Sequence, residues 1–384
     1  MRFDFSTANR IVFGEGTLNE IGTIARQFGT KAFVVAGGDP KSIDSLRNKL
    51  STAGIEITFL KTAGEPTTKL VEDAICLAKE NGCQLVIGFG GGSAIDLAKA
   101  ISVMLTNPGE LFDYLEVVGK NQTITIPAAP MIAVPTTSGT GSEVTRNAVL
   151  AVPDRKVKVS MRSAFMLPRV ALIDPELTYA LPPRVTANTG MDALTQVLEP
   201  YVSQKANPMA DIFCCEGLKR AARSLEKAYH NGSDQLARVD MSWTSLLGGL
   251  SLANAGLGAV HGLAGPIGGM FHASHGAICA SLLAPVTAMN VKALEERMPD
   301  APALERYCEI AKILTGNDQA SVRDGIDWLQ SLKIALEIPG LSAYEITKVD
   351  FAEIIDKSLV ASSMQGNPVQ LQRAELETIL NDAL

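Results

Sequence analysis

The stretch Gln84-Leu-Val-Ile-Gly-Phe-Gly-Gly-Gly-Ser-Ala-Ile-Asp-Leu-Ala-Lys99 decides the fold. Gln84-Leu-Val-Ile87 reads as a buried strand, the glycines after it as a tight turn, and a helix opens at Ser93. An apolar run with no polar alternation suits a parallel strand covered on both faces. Consecutive glycines let the backbone approach a phosphate closely, and the first N–H groups of a helix are free to bind an anion. Ser93 is placed to cap that helix or to touch the phosphate. A strand–helix turn that binds nothing is the alternative. The pattern is not G-x-G-x-x-G, and no Gly-Lys-Ser/Thr makes it a nucleoside-triphosphate loop. Asp96 and Lys99 read as a structural pair within the helix.

Outward from this stretch, strand and helix alternate. Residues 9–14 predict a short strand and a glycine turn, and a helical pattern runs on to about Phe28. Lys31–Ala36, Ile57–Leu60, Met131–Val134 and Val170–Ile173 predict further strands, and Thr68–Asn81 a helix. This is the pattern of a Rossmann-like α/β domain with a parallel sheet. Leu150–Ser160, with Pro153-Asp154 at its centre, predicts an inserted hairpin. After Leu181-Pro-Pro-Arg184 no strand is read. Helices are expected over Thr186–Val202, Met209–Ala228, Leu236–Leu257, His275–Asn290 and Pro302–Leu314. We therefore divide the chain into an α/β domain over 1–182 and an all-α domain over 183–384, with a ligand site expected in a cleft between them.

Composition narrows the function classes. A net charge of -7 and 5% aromatic residues exclude a basic, base-stacking nucleic-acid binder. Six cysteines without a Cys-x-x-Cys pair read as reduced, mostly buried thiols of a cytoplasmic protein. Neither a signal core nor an apolar run of 18 residues is found, so no membrane association is expected.

Three further motifs carry chemistry. Pro135-Thr-Thr-Ser-Gly-Thr-Gly-Ser-Glu-Val-Thr145 follows a strand and packs six hydroxyl residues into eleven positions. Two such loops at the carboxyl ends of parallel strands favour a dinucleotide over a solvated loop. In Asn188-Thr-Gly-Met-Asp-Ala-Leu-Thr-Gln-Val-Leu-Glu-Pro200, Asp192 and Gln196 share one helix face. Gly258-Ala-Val-His-Gly-Leu-Ala-Gly-Pro-Ile-Gly-Gly-Met-Phe-His-Ala-Ser-His-Gly276 holds three of the four histidines. On one unbroken helix His261 and His275 would stand about 21 Å apart. A break at Pro266–Gly269 would fold them into a two-histidine pincer. With Asp192 they form a candidate Asp/His/His metal site, with Gln196 as an optional fourth ligand and a position open to substrate.

These motifs resemble the iron-containing (group III) alcohol dehydrogenase family. The likeness covers essentially the whole chain, from Ile11-Val-Phe-Gly-Glu-Gly16 through the two loops, Asp174-Pro-Glu-Leu177 and Gly190-Met-Asp-Ala-Leu-Thr195 to the histidine stretch. It implies a dehydroquinate synthase-like architecture, a metal in the interdomain cleft, and reversible hydride transfer between a primary alcohol or aldehyde and NAD(P). It implies Asp192, His261 and His275 as metal ligands, Gly91, Gly92 and Ser93 at the pyrophosphate, and Thr136, Thr137 and Thr140 beside the nicotinamide half. Lys158 matches a lysine near the cofactor ribose. It also suggests a homodimer or larger homo-oligomer.

The chain departs from the family at two positions. Relatives commonly have histidine where this chain has Gln196, and many have another where it has Gly265. A glutamine oxygen is a weaker donor than imidazole, which leaves Fe(II) and Zn(II) both open. His272 is the substitute candidate for proton relay. In Ala36-Gly-Gly-Asp-Pro-Lys-Ser42, Gly37 stands where NAD-specific relatives carry an acidic residue, leaving room for a 2′-phosphate with Ser42 and Lys41 nearby, which points to NADP. Gly38 beside it is a further cofactor-binding candidate. Asp39 is still placed to reach the ribose. The rival readings are a metal-independent reductase of the maleylacetate reductase type, a lyase of the dehydroquinate synthase-like fold and a non-catalytic dinucleotide-binding protein.

Overall fold

The computed structural model describes residues 2–155 and 157–384. The chain forms two compact units. One comprises Ser6–Thr137 and Gly141–Ala180; the other comprises the segment ending at Phe5, Ser138–Thr140 and Leu181–Leu384.

The first unit is built on a six-stranded sheet of β1 (Arg10–Phe13), β2 (Lys31–Ala36), β3 (Glu56–Lys61), β4 (Leu85–Gly90), β5 (Met131–Pro135) and β8 (Val170–Ile173). Their order is β1-β8-β5-β4-β2-β3, and every neighbouring pair is parallel. Side chains alternate across the sheet. Ala32, Val34 and Ala36 of β2 pack with Ile24, Leu46 and Leu50, from α1 (Ile21–Arg26) and α2 (Pro40–Thr52). Phe33 and Val35 face the opposite layer, where Val71 and Ile75 of α3 (Thr68–Glu80) meet Ile95 and Ile101 of α4 (Gly92–Thr106). The short α5 (Leu111–Tyr114) seats Leu111 and Tyr114 in that layer too. β6 (Asn147–Val152) and β7 (Val157–Arg162) pair antiparallel, so the inserted hairpin starts and ends a few residues outside the predicted span.

The second unit is helical, with no strand among the described residues. It contains α6 (Pro183–Val202), α7 (Pro208–His230), α8 (Gln235–Ala255), α9 (Ala259–Met270) and α10 (His275–Arg297). These are followed by α11 (Pro302–Thr315), α12 (Val322–Ala335), α13 (Phe351–Leu359) and α14 (Arg373–Ala383). α6 packs against α7, α8 and α10 and is buried from Gly190 through Val202. α10 is long and apolar enough to cross a membrane, yet 78% of its apolar window is buried in the folded protein. It is a core helix.

Two local expectations are corrected. The chain does not break at Pro266–Gly269. α9 runs through Pro266, and the turn falls at Phe271–Ser274. An internal proline costs roughly 3 kcal/mol. Burial of Val260, Leu263 and Ile267, at about 1.5–3 kcal/mol each, outweighs it. The carbonyl that the proline ring crowds belongs to Gly262, and Phe271 N–H closes the last turn onto Ile267 O at 2.9 Å. The cysteines are also less sheltered than expected, with only Cys214 and Cys279 buried.

Candidate functional site

The dinucleotide candidates gather at the carboxyl edge of β2, β4 and β5. The chain leaves β2 towards β3 on one side and returns to β4 on the other, the reversal at which α/β sheets bind ligands. Gly37 N–H donates to Phe89 O at 2.8 Å, and Thr136 N–H to Gly90 O at 2.9 Å, which locks the three strand ends together. Gly90 has φ +151°, and a Cβ there would lie 2.8 Å from Ala94 Cβ, so the turn requires glycine. Gly91, not Ser93, is the residue that caps α4, with extended backbone and no side chain over the helix end. Ser93 lies inside the first turn because the helix begins at Gly92. A side chain on Gly91 would stand 3.4 Å from Thr137 Oγ1, and one on Gly38 3.4 Å from Thr136 Oγ1. Gly37, Gly38, Gly91, Thr136 and Thr137 thus lie side by side at the sheet edge, with Gly92 opening the helix next to them. Asp39 caps α2, accepting from Ser42 N–H at 2.9 Å and Ser42 Oγ at 3.0 Å. Lys158, on β7, pairs with Glu65 at 3.0 Å, and the Thr67–Ala151 bridge holds the hairpin to the loop after β3. Thr140 belongs to the short segment counted with the helical unit.

The hydroxyl-rich loop is fastened to α4 from beneath. Lys99 Nζ is fully buried and donates to Ser142 Oγ at 2.8 Å, Thr145 Oγ1 at 2.8 Å and Asn147 O at 2.9 Å. Asp96 accepts from Ser142 Oγ at 2.6 Å and Val149 N–H at 3.0 Å, and stands 3.8 Å from Lys99. The predicted Asp96/Lys99 pair is therefore the root of a network that shapes the loop. Burial pulls the Lys99 ammonium down to about 8, against the pull of Asp96 and Glu143. Burial likewise pushes the Glu143 carboxyl up to about 7.

The metal candidates converge within the helical unit. Asp192 projects from α6, His261 from α9 and His275 from the first position of α10. Asp192 Oδ1 lies 3.4 Å from His261 Nε2 and 3.8 Å from His275 Nε2, and the imidazole centroids are 5.3 Å apart. The pincer inferred from the sequence forms, although at a different turn. Close backbone approach makes it fit, since a Cβ on Gly276 would lie 2.4 Å from Asn188 O of α6. Cys279, one turn after His275, adds its Sγ at 3.7 Å from His275 Nε2. One donor atom each from Asp192, His261, His275 and Cys279 lie within 4.8 Å of one another. His272 stands exposed on the turn before α10 and lies outside this group.

Behind these donors, Glu199 Oε2 accepts from His261 Nδ1 at 2.7 Å and Glu199 Oε1 from Val260 N–H at 2.7 Å. A carboxylate can only accept, so Nδ1 carries a proton and Nε2 is the ring nitrogen turned into the cluster. Asp192 Oδ1, His261 Nε2 and Gln196 Oε1 are buried without a hydrogen-bond partner. Orphaned acceptors of this kind are costly unless a cation satisfies them. Burial alone would raise the Asp192 carboxyl, but His261 and His275 hold it below its ordinary value. Burial opposes charge on His261, yet Cys279, Asp192 and Glu199 lift its pKa well above that of free imidazole. The site is a concentrated anionic pocket whose imidazoles balance it, and its N, O and S donors suit a divalent transition metal.

Two site residues went unread in the sequence, Glu199 and Cys279. Both were signalled by helical spacing, Glu199 seven after Asp192 and Cys279 four after His275.

Comparison with known proteins agrees. Residues 8–175 match the family described as iron-containing alcohol dehydrogenase, and residues 186–384 match the C-terminal Fe-containing alcohol dehydrogenase family. The chain is 40% identical over 303 residues to long-chain-alcohol dehydrogenase 1 of Geobacillus thermodenitrificans, covering 76% of each chain. It is 34% identical to 4-hydroxybutyrate dehydrogenase of Cupriavidus necator, over 92% of this chain and 90% of that one. The solved structure of a 1,3-propanediol oxidoreductase superposes with a TM-score of 0.93 at 31% identity, covering 100% of both chains. The protein thus belongs to the iron-containing alcohol dehydrogenase family, and it is a metal-dependent oxidoreductase that exchanges hydride between a nicotinamide cofactor and an alcohol or aldehyde.

Proposed function

We propose that this enzyme interconverts primary alcohols and aldehydes, with Asp192, His261 and His275 holding the metal and the β2–β4–β5 edge holding the dinucleotide. The convergence of these three donors with buried, unpartnered acceptor atoms carries the reading. A divalent ion held there supplies a Lewis acid for the substrate oxygen, and the nicotinamide gives or takes the hydride. The chain's own part is preorganisation. Glu199 fixes the His261 ring so that Nε2 faces the cluster, and the close approach of α6 and α10 brings Asp192 and His275 together.

Gly265 lies one turn beyond His261 on the same helix face, and a Cβ there meets no atom within 4 Å. Open space at that position supports substrates bulkier than the shortest alcohols, in keeping with the names of the long-chain and 4-hydroxybutyrate relatives. NADP(H) is the proposed cofactor. Gly37 and Gly38 put no side chain at the end of β2, and the Asp39 carboxylate is already engaged by Ser42. Lys41 and Ser42 stand in the first turn of α2 as partners for a ribose phosphate.

The test is His261→Ala. Metal content and turnover of an aldehyde panel with NADPH and NADH are expected to vanish, while dinucleotide binding by calorimetry persists. Turnover retained in the variant would overturn the reading.

A further inference from the structure

We propose that Cys279 is a fourth protein ligand of the metal, bound as a thiolate, which makes this an Asp/His/His/Cys centre that favours zinc over iron(II). The inference rests on the metal-dependent reading above and adds a ligand to it.

Geometry comes first. Cys279 sits four residues after His275, so both side chains leave the same face of α10. Its Sγ stands 3.7 Å from His275 Nε2, beside the 3.4 Å and 3.8 Å separations of the two imidazoles from Asp192 Oδ1. With metal–nitrogen bonds of about 2.05 Å and a metal–sulfur bond of about 2.3 Å, a tetrahedron has edges of about 3.3–3.6 Å. The three separations given are within a few tenths of an ångström of that, and all four donor atoms lie within 4.8 Å of one another, so the cluster contracts modestly around an ion. Cys279 itself is fully buried, and Asp192 and His261 are buried too, while His275 is partly exposed at the open side of the cluster.

The chemistry of the neighbouring donors points the same way. Gln196 offers only an amide oxygen, the weakest transition-metal donor in the neighbourhood. Gln196 Oε1 is buried without a hydrogen-bond partner, so the amide adds at most a weak, neutral donor beside the thiolate. The thiolate from α10 takes over the strong fourth bond, and Asp192 and Cys279 together supply two negative charges to a dication. Zinc prefers such an N/O/S set and tolerates a fifth ligand during catalysis, so a substrate position stays available.

X-ray absorption at the metal edge of the purified holoenzyme tests this. One sulfur at about 2.3 Å is expected in the wild type, replaced by a light atom at about 2.0–2.2 Å in Cys279→Ser. Cobalt(II) exchanged into the wild type should show a thiolate charge-transfer band in the near ultraviolet, and the variant should lose it. The zinc dissociation constant of the variant, read with a chromophoric chelator, should rise by more than the about 10–100-fold that loss of a supporting residue costs. If Cys279→Ser does not fold, the wild-type absorption spectrum decides alone. A metal with only nitrogen and oxygen neighbours overturns the thiolate ligand and leaves the proposed function standing, with Gln196 as the fourth donor. A wild-type protein that takes up neither zinc nor iron overturns both.

Discussion

Glu199 reaches across from α6 to hold the His261 ring of α9, accepting its Nδ1 proton at 2.7 Å. Removing the charge while keeping the shape isolates this role. Glu199→Gln is expected to fold normally and to weaken metal binding by about 10–100-fold. Chelator competition on the purified variant measures this. An unchanged dissociation constant would mean that His261 needs no such support.

The contact of α6 with α10 depends on a missing side chain. In Gly276→Ala the new methyl would stand 2.4 Å from Asn188 O, a backbone atom that cannot swing aside. The expected outcome is a loss of about 1–3 kcal/mol in urea unfolding. Metal content by mass spectrometry should fall with it, because His275 is carried away from Asp192. Full metal occupancy would show that the helices tolerate separation.

Lys99 predicts a larger loss. Lys99→Met leaves Asp96 ionisable and largely buried without its cation, and the loop at Ser142 and Thr145 without its donor. Breaking a buried pair from one side costs about 3–5 kcal/mol. The double variant Lys99→Met with Asp96→Asn should lose less than the sum of the two single changes, since the orphaned charge is gone. Additive losses in urea unfolding would argue against coupling.

Glu143 gives a pH signature. Burial raises its carboxyl from the ordinary 4.5 to about 7, so the folded state holds a proton that the unfolded state releases between those values. Stability therefore falls as pH rises across that window, by about 3 kcal/mol in total. Glu143→Gln lacks this slope. Its stability relative to wild type should climb by about that amount between pH 4.5 and pH 7 and stay level above. A difference independent of pH would place the proton elsewhere.

Much of the molecule was legible in the linear chain because its signals are local. The apolar strands and glycine turns at Gly90 and Gly37 announce a parallel sheet and its binding edge without reference to distant residues. His261 and His275 stood out because the chain has only four histidines, and Asp192 was drawn in as a carboxylate near the start of the first C-terminal helix. The break at Pro266 was misplaced because proline speaks only for one hydrogen bond, whereas the burial of Val260, Leu263 and Ile267 depends on neighbours the sequence does not order. Ser93 was read as a cap or a phosphate contact because hydroxyl residues do both; the cap is instead extended Gly91, and the helix starts one residue sooner. Glu199 and Cys279 had the right spacing all along. That spacing becomes meaningful once α6, α9 and α10 are known to meet at one point.

The helical unit is not one continuous length of chain, and this bears on how such proteins can be recombined. It includes the segment ending at Phe5, which lays Phe5 against Phe213 with ring centroids 5.7 Å apart. It also includes Ser138–Thr140, whose Ser138 Oγ meets Ser242 Oγ at 3.2 Å. A chimera spliced at residue 181 would give the helices of one parent a borrowed N-terminal strap and a borrowed hydroxyl hook. Exchange between relatives is then governed by these two small inserts as much as by the long C-terminal half, and a graft that carries them along with the helices keeps the inherited packing whole.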